Sequence, residues 1–101
     1  MTATLAVLVV DLQGVFTQAR NGTLAAEGTD EAYILSVRKA CSQYREEGLP
    51  LYVTQDWHPA NHVSFAANNP GAKVFTSIDL DGRSQMMWPV HCVQYTSGAL
   101  V

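Results

Sequence analysis

Leu5-Ala-Val-Leu-Val-Val-Asp11 is the stretch on which the fold turns. Six consecutive aliphatic residues, three of them β-branched valines, run without a polar interruption into an acid. A half-exposed strand alternates apolar and polar residues; an unbroken run of this length reads as a strand buried on both faces, the kind found inside a parallel sheet. Outward from it, residues 14–29 carry Gly14, Gly22 and Gly28 among polar neighbours and read as a loop with short extended pieces near Thr23 and Leu24. Thr29 or Asp30 then caps a helix running to about Glu47. Its apolar positions Ile34, Val37, Cys41 and Tyr44 fall at spacings of three, four and three, which makes one apolar face, and Asp30 and Glu31 suit its first turn. Gly48 stops this helix, Pro50 follows, and Leu51-Tyr-Val-Thr-Gln55 is a second strand. Strand, crossover helix and strand make a right-handed parallel unit. Asp11 and Asp56 therefore lie just past the carboxyl ends of neighbouring strands, where open α/β sheets bind ligands.

The next segment supplies the chemistry. Thr54-Gln-Asp-Trp-His-Pro-Ala-Asn-His-Val-Ser-Phe65 places Asp56, His58 and His62 within seven residues, and the third histidine of the protein, His91, sits in Met87-Trp-Pro-Val-His-Cys-Val-Gln94. Side chains two apart in extended backbone point the same way, so Asp56 and His58 converge. Pro59 and Asn61 form a turn that can bring His62 back toward the same point, and His91 has to arrive from the later loop. One carboxylate with two or three neutral imidazoles suits a divalent metal: zinc first, with iron and manganese as alternatives, and with positions open for water or substrate. Scattered loop histidines would have no reason to gather beside an acid at ligand spacing.

Composition narrows the function classes. A chain of 101 residues fits one small domain. Six basic and nine acidic side chains give a net charge of −3 with no lysine or arginine run, which argues against a nucleic-acid or anionic-membrane surface and for a small-molecule partner. The apolar run Leu5 to Val10 is too short to cross a bilayer, and Met1-Thr-Ala-Thr4 lacks a basic signal-peptide start, so a cytoplasmic location is expected. Self-association into a homo-oligomer is left open. Cys41 and Cys92 form no disulfide framework.

Between Pro59 and His91 no element is strongly marked. Asn68-Asn-Pro-Gly71 and Asp79-Leu-Asp-Gly82 read as turns and Val74-Phe75 as a short strand, within a loop wrapping an active site. Trp57, Phe65 and Phe75 serve to hold that loop down; Trp88, three residues from His91, is the aromatic expected to meet a ligand. A strand buried on both faces needs more neighbours than two strands and one helix provide, so the chain reads as incomplete, with a further apolar segment starting at Ser97-Gly-Ala-Leu-Val101.

These motifs resemble the N-terminal half of nicotinamidases, within the isochorismatase-like cysteine hydrolase superfamily. The resemblance rests on Val9-Val-Asp-Leu-Gln13 with Phe16, Gly22-Thr-Leu24, Gln55-Asp-Trp-His-Pro-Ala-Asn-His-Val-Ser-Phe-Ala66, and Trp88-Pro-Val-His-Cys-Val-Gln94 with Gly98-Ala99. It implies a three-layer αβα fold with a parallel sheet, residues 1–101 being the first part of a single hydrolase domain that is cut off after the metal-binding loop. It also implies hydrolysis of nicotinamide to nicotinate and ammonia, a step of NAD salvage, through a cysteine thioester. By the same resemblance Asp11 is the catalytic acid of an Asp–Lys–Cys triad, Asp56, His58 and His91 are metal ligands with His62 a further one, and Phe16 and Trp88 are walls of the substrate pocket. The family lysine and nucleophilic cysteine lie beyond the Trp-Pro-x-His-Cys block and have no counterpart here; Lys39, Lys73, Cys41 and Cys92 occupy other segments. Gly14 and Tyr95 depart from the family pattern. The chain alone is accordingly expected to be inactive, with a non-catalytic metal-binding protein or another hydrolase of the superfamily as the competing readings.

Overall fold

The structure is a computed structural model and describes residues 4–99. Strand β1 (Val7–Val9) pairs in parallel with β2 (Leu51–Val53), Val7 opposite Leu51 and Val9 opposite Val53. The helix α1 (Glu31–Glu46) connects them. Both strands are shorter than the runs that announce them, and after β1 the left-handed φ of 50° at Asp11 breaks the extended path. The order of elements is the one expected from the sequence.

Helix α1 has well-defined ends. The Asp30 carboxylate accepts the Tyr33 backbone N–H at 2.9 Å, satisfying one of the free donors of the first turn. At the other end Gly48 takes a φ of 81°, its N–H reaching the Arg45 carbonyl and the Leu49 N–H reaching the Tyr44 carbonyl. This paired closure needs a left-handed residue, which glycine adopts without strain.

Burial corrects the reading of the first strand. Leu8 is 60 % exposed and Val10 62 %, so β1 is not buried on both faces. The physical reason is the shortage of partners: among the described residues the parallel sheet has two strands and one helix beside it. Even that helix buries only Ile34, while Cys41 is half-buried and Tyr44 exposed, so the expected buried stripe is only partly covered. An open groove of about 1200 Å³ runs between α1 and the sheet, with Val37 and Cys41 on one side and Val9, Leu51 and Val53 on the other.

The accessible surface is 7220 Å², against about 5,600 Å² for a compact monomer of this mass. The radius of gyration is 17.1 Å, where about 13 Å is usual for a closed domain of 100 residues. The molecule is correspondingly elongated and open.

Two further differences concern the loops. The span after Pro59 holds an antiparallel hairpin, β3 (Ser77–Leu80) with β4 (Arg83–Met86), whose two-residue turn Asp81-Gly82 has φ values of 51° and 83°. Both residues are left-handed, the geometry that Asp-Gly favours in a tight hairpin. Val74-Phe75 is not a strand, and Phe75 has a φ of 62°. Residues near Thr23 and Leu24 form turns rather than extended pieces, after 3-10 turns at Gly14–Phe16 and Gln18–Arg20. Gly22 lies so close to this chain that a Cβ there would collide with the Val15 carbonyl. Within Ser97–Val101, where a further apolar segment is expected to start, Ser97–Ala99 form a 3-10 turn and residues 100–101 lie outside the described residues.

Candidate metal centre

The site forms where three segments meet at the carboxyl ends of β1 and β2. His58 donates its backbone N–H to the Cys92 carbonyl and accepts from Gln94 N–H, both at 2.8 Å, which fastens the segment after β2 to the segment carrying His91. Trp88 N–H and the Ser64 carbonyl, also 2.8 Å apart, and Ala66 N–H with the Trp88 carbonyl, at 2.9 Å, repeat the arrangement around Phe65. The loop is thus stitched by backbone pairs, and Phe65 and Met87 fill its centre with no exposed surface.

Asp56, His58 and His91 converge. One ligand atom from each lies within 4.8 Å of the others. His58 Nε2 stands 3.3 Å from Asp56 Oδ1 and His91 Nε2 stands 3.3 Å from Asp56 Oδ2, so both imidazoles face one carboxylate.

The proton positions bear on whether a metal fits. His91 Nδ1 lies 2.8 Å from the Pro89 carbonyl, an acceptor only, so this nitrogen carries the hydrogen and Nε2 presents a lone pair to Asp56. In the neutral ring, that lone pair and the carboxylate oxygen repel one another unless a proton or a metal cation lies between them. His58 turns Nε2 to Asp56 and leaves Nδ1 buried without a hydrogen-bond partner among the described residues, so no acceptor fixes its tautomer as Pro89 fixes that of His91. The donor set of two imidazole nitrogens and one carboxylate fits a divalent cation.

His62 lies beside this group rather than in it. Its ring centroid is 4.7 Å from that of His58, and its Nδ1 meets the Ser64 hydroxyl at 2.7 Å and the Ser64 N–H at 3.2 Å. A backbone N–H can only donate, so Nδ1 accepts and the hydrogen of the neutral ring sits on Nε2. His62 is thereby set as a donor, the opposite tautomer to His91.

Asp11 is held by Thr54. The Thr54 hydroxyl donates to Asp11 Oδ1 at 2.7 Å while accepting the Asp11 backbone N–H at 3.0 Å, fixing a residue that is strained at positive φ. Cys92 is 2 % exposed and packs with Val15 and Ala99. Its thiol is pushed up to about 11, by burial first and then by the negative charges of Asp56 and Asp11. A thiol held protonated is a poor nucleophile. The two aromatic candidates flank His91, with ring centroids 6.2 Å away for Phe16 and 6.5 Å for Trp88.

Sequence reading did not single out Gln13, Thr54 or Ser64, whose amide and hydroxyls order the acids and His62. Their types are too common in loops to signal this; only Gln13, an amide next to an aliphatic run and yet 1 % exposed, is unusual once burial is known. The groove beneath the sheet is lined by Gln13 and His91 but by none of Asp11, Asp56 or His58, so it borders the metal centre only on the His91 side.

No protein-family model matches the chain. Curated relatives do: nicotinamidases of Acinetobacter baylyi and Escherichia coli are each 40 % identical over 94 residues, 93 % of this chain and 41 % and 42 % of their own lengths. The chain therefore spans about two fifths of the relatives it matches. Among solved structures, a nicotinamidase of Acinetobacter baumanii superimposes with a TM-score of 0.72 at 42 % identity, covering 93 % of this chain and 42 % of that one. Pyrococcus horikoshii pyrazinamidase, solved in complex with zinc, gives 0.66 at 34 % identity over the same 93 %, which is 42 % of its own chain. The yeast nicotinamidase bound to the inhibitor nicotinaldehyde gives 0.73 at 27 % identity, covering 93 % of this chain and 46 % of that one. In sequence and in fold, this chain is similar to the nicotinamidases over somewhat less than half of their length.

Proposed function

We propose that this chain forms the metal-binding and proton-handling part of a nicotinamidase-type amidohydrolase that converts nicotinamide to nicotinate and ammonia. The observation that carries the reading is the convergence of Asp56, His58 and His91 within 4.8 Å, at the carboxyl ends of the same two strands that present Asp11, on a nicotinamidase-like backbone.

Asp56, His58 and His91 would hold the ion through a carboxylate oxygen and two imidazole nitrogens, and zinc is the first choice for such a set. When bound, it supplies a Lewis-acid site for the ring nitrogen of a pyridine substrate. His62, with its hydrogen on Nε2, acts as a hydrogen-bond donor at the rim. Phe16 and Trp88 form the aromatic walls that exclude water from the amide.

Asp11 is the general base and acid of the reaction. It takes the proton of an attacking thiol and delivers it to the departing ammonia, and Thr54 keeps its carboxylate aimed. The thiol attacks the amide carbonyl to give a thioester and release ammonia; water then cleaves the thioester to nicotinate. Cys92 does not serve as that thiol, being buried among Val15 and Ala99 with its pKa raised. Cys41 lies on α1 along the groove, which Asp11 does not line, so neither cysteine of this chain is assigned as the nucleophile.

The test uses the purified chain with and without zinc. Saturable binding of one divalent ion per chain is expected, with nicotinamide binding that depends on the ion, no binding of benzamide, which lacks the ring nitrogen, and no release of ammonia. Absence of saturable metal binding would sink the metal reading, equal binding of benzamide would sink the role of the ring nitrogen, and ammonia release by the chain alone would overturn the exclusion of Cys41 and Cys92 as nucleophiles.

A further inference from the structure

We propose that Gln13 is a positioning residue that sets the backbone of Asp56 for metal binding and ties it to the segment that follows His91. This rests on the metal reading above. The observation is a side-chain amide whose two N–H donors and one oxygen lone pair are all used between segments far apart in the chain. Gln13 Oε1 accepts the Asp56 backbone N–H at 2.8 Å, and Gln13 Nε2 donates to the Asp56 carbonyl at 2.8 Å. The same nitrogen donates to the Ala99 carbonyl at 2.8 Å.

A primary amide that meets both the N–H and the C=O of one residue takes the place of a neighbouring strand. It supplies Asp56 with a partner at a point where β2 has already ended at Val53. With both backbone groups fixed, Asp56 has little freedom to swing away from His58 and His91. That matters because metal ligands tolerate displacements of only about 0.2 Å.

The third hydrogen bond extends the constraint. Ala99 also receives a hydrogen bond from the Gln55 side chain, and it packs with Cys92, the neighbour of His91. One amide thus sets the segment after β1, the segment after β2 and the 3-10 turn at Ser97–Ala99 in mutual register. Glutamate cannot replace it, because its second oxygen would face two carbonyl oxygens and lose both donors. Asparagine is one methylene too short to reach both Asp56 groups.

The experiment compares the unmodified chain with Gln13→Glu, Gln13→Leu and, as a packing control, Ile34→Ala, which removes buried volume on α1 outside the Val15–Cys92–Ala99 cluster. Zinc affinity is measured by chelator competition on folded protein, and the absorption spectrum of the cobalt(II) form reports ligand geometry. The Gln13 variants are expected to bind zinc about 10- to 100-fold more weakly and to change the cobalt spectrum, whereas Ile34→Ala lowers thermal stability and leaves both unchanged. An unaltered zinc affinity in a folded Gln13 variant, or an equal loss in Ile34→Ala, overturns the proposal. Should the Gln13 variants not fold, the unmodified metal-free chain still decides: the Gln13 side-chain amide protons should exchange slowly and shift with the Asp56 amide on adding zinc, and rapid, solvent-like exchange overturns the assignment. If the unmodified chain takes up no zinc, it is the metal reading that fails.

Discussion

At the carboxyl ends of β1 and β2, Phe65 and Met87 are wholly buried and Cys92 nearly so, while on the sheet itself Leu8 and Tyr52 are each 60 % exposed. The two regions are held by different means. None of the buried hydrophobic residues belongs to β1 or β2, and only Ile34 belongs to α1; most lie in the loops around the metal centre. Those loops are ordered by backbone pairs between distant segments and by buried side-chain donors such as Gln13. The sheet has hydrogen bonds along one edge of each strand and little packing. In this chain, therefore, the candidate site is better supported than the scaffold that usually supports such a site.

The contrast can be broken most directly at Phe65. Its ring packs against His58 and His91 at centroid distances of 5.4 Å. Phe65→Ala should cost about 3 to 5 kcal/mol, seen as a fall in denaturation midpoint and as loss of metal binding. A cost below about 1 kcal/mol would show that the loops are not where the stability resides.

Asp56→Ala addresses the site without removing core volume. Loss of groups that merely orient ligands already weakens binding by about 10- to 100-fold, so removal of the ligand shared by both imidazoles should weaken zinc binding at least about 100-fold. Chelator competition measures this. Midpoints of the metal-free proteins should stay close, because the neutral variant also removes a carboxylate facing a lone pair.

The two cysteines give a comparison of access. Cys41 is half-buried beside the open groove, whereas Cys92 is in the packed loop region. Alkylation at neutral pH should modify Cys41 first, by mass spectrometry of the digest, at least about ten times faster if exposure and thiolate fraction control the rate. The folded protein holds the Cys92 proton up to about 11, against an ordinary value of 9.0. The unfolded chain releases that proton earlier, so the folded state loses stability as pH rises from about 9 toward 11. Prior modification of Cys92 would remove the distinction between the regions.

The smallest effect belongs to the sheet face. Leu8→Ser should change stability by no more than about 0.5 kcal/mol, since the side chain is already 60 % exposed. A larger loss in thermal melts would mean that this face is covered in solution.

Much of this was legible in the sequence. Helix α1 follows from the spacing of Ile34, Val37, Cys41 and Tyr44, with Asp30 capping its start and Gly48 its end, and the outcome agrees to within a residue or two at each boundary. Asp56 and His58, two residues apart after a strand, converge as the period of extended backbone requires. The β3–β4 hairpin could have been found, because Asp81-Gly82 is a strong signal for a two-residue turn; the polar strands beside it, Arg83-Ser-Gln-Met86 above all, masked it. Gly22 reads as a loop glycine, but its close approach to Val15 depends on a turn that no local pattern announces.

The sequence by itself determined the β1–α1–β2 unit, its order and the residue types able to hold a metal, because these depend on contacts between near neighbours in the chain. Only the tertiary structure decided which of those residues meet. Asp56 and His91 are separated by a loop and a hairpin, and it is the His58–Cys92 and Gln94–His58 backbone pairs that bring their side chains to 3.3 Å. The tertiary structure also decided that Leu5 to Val10 is not buried: aliphatic composition states what a strand can bury, and burial itself requires a partner on each face.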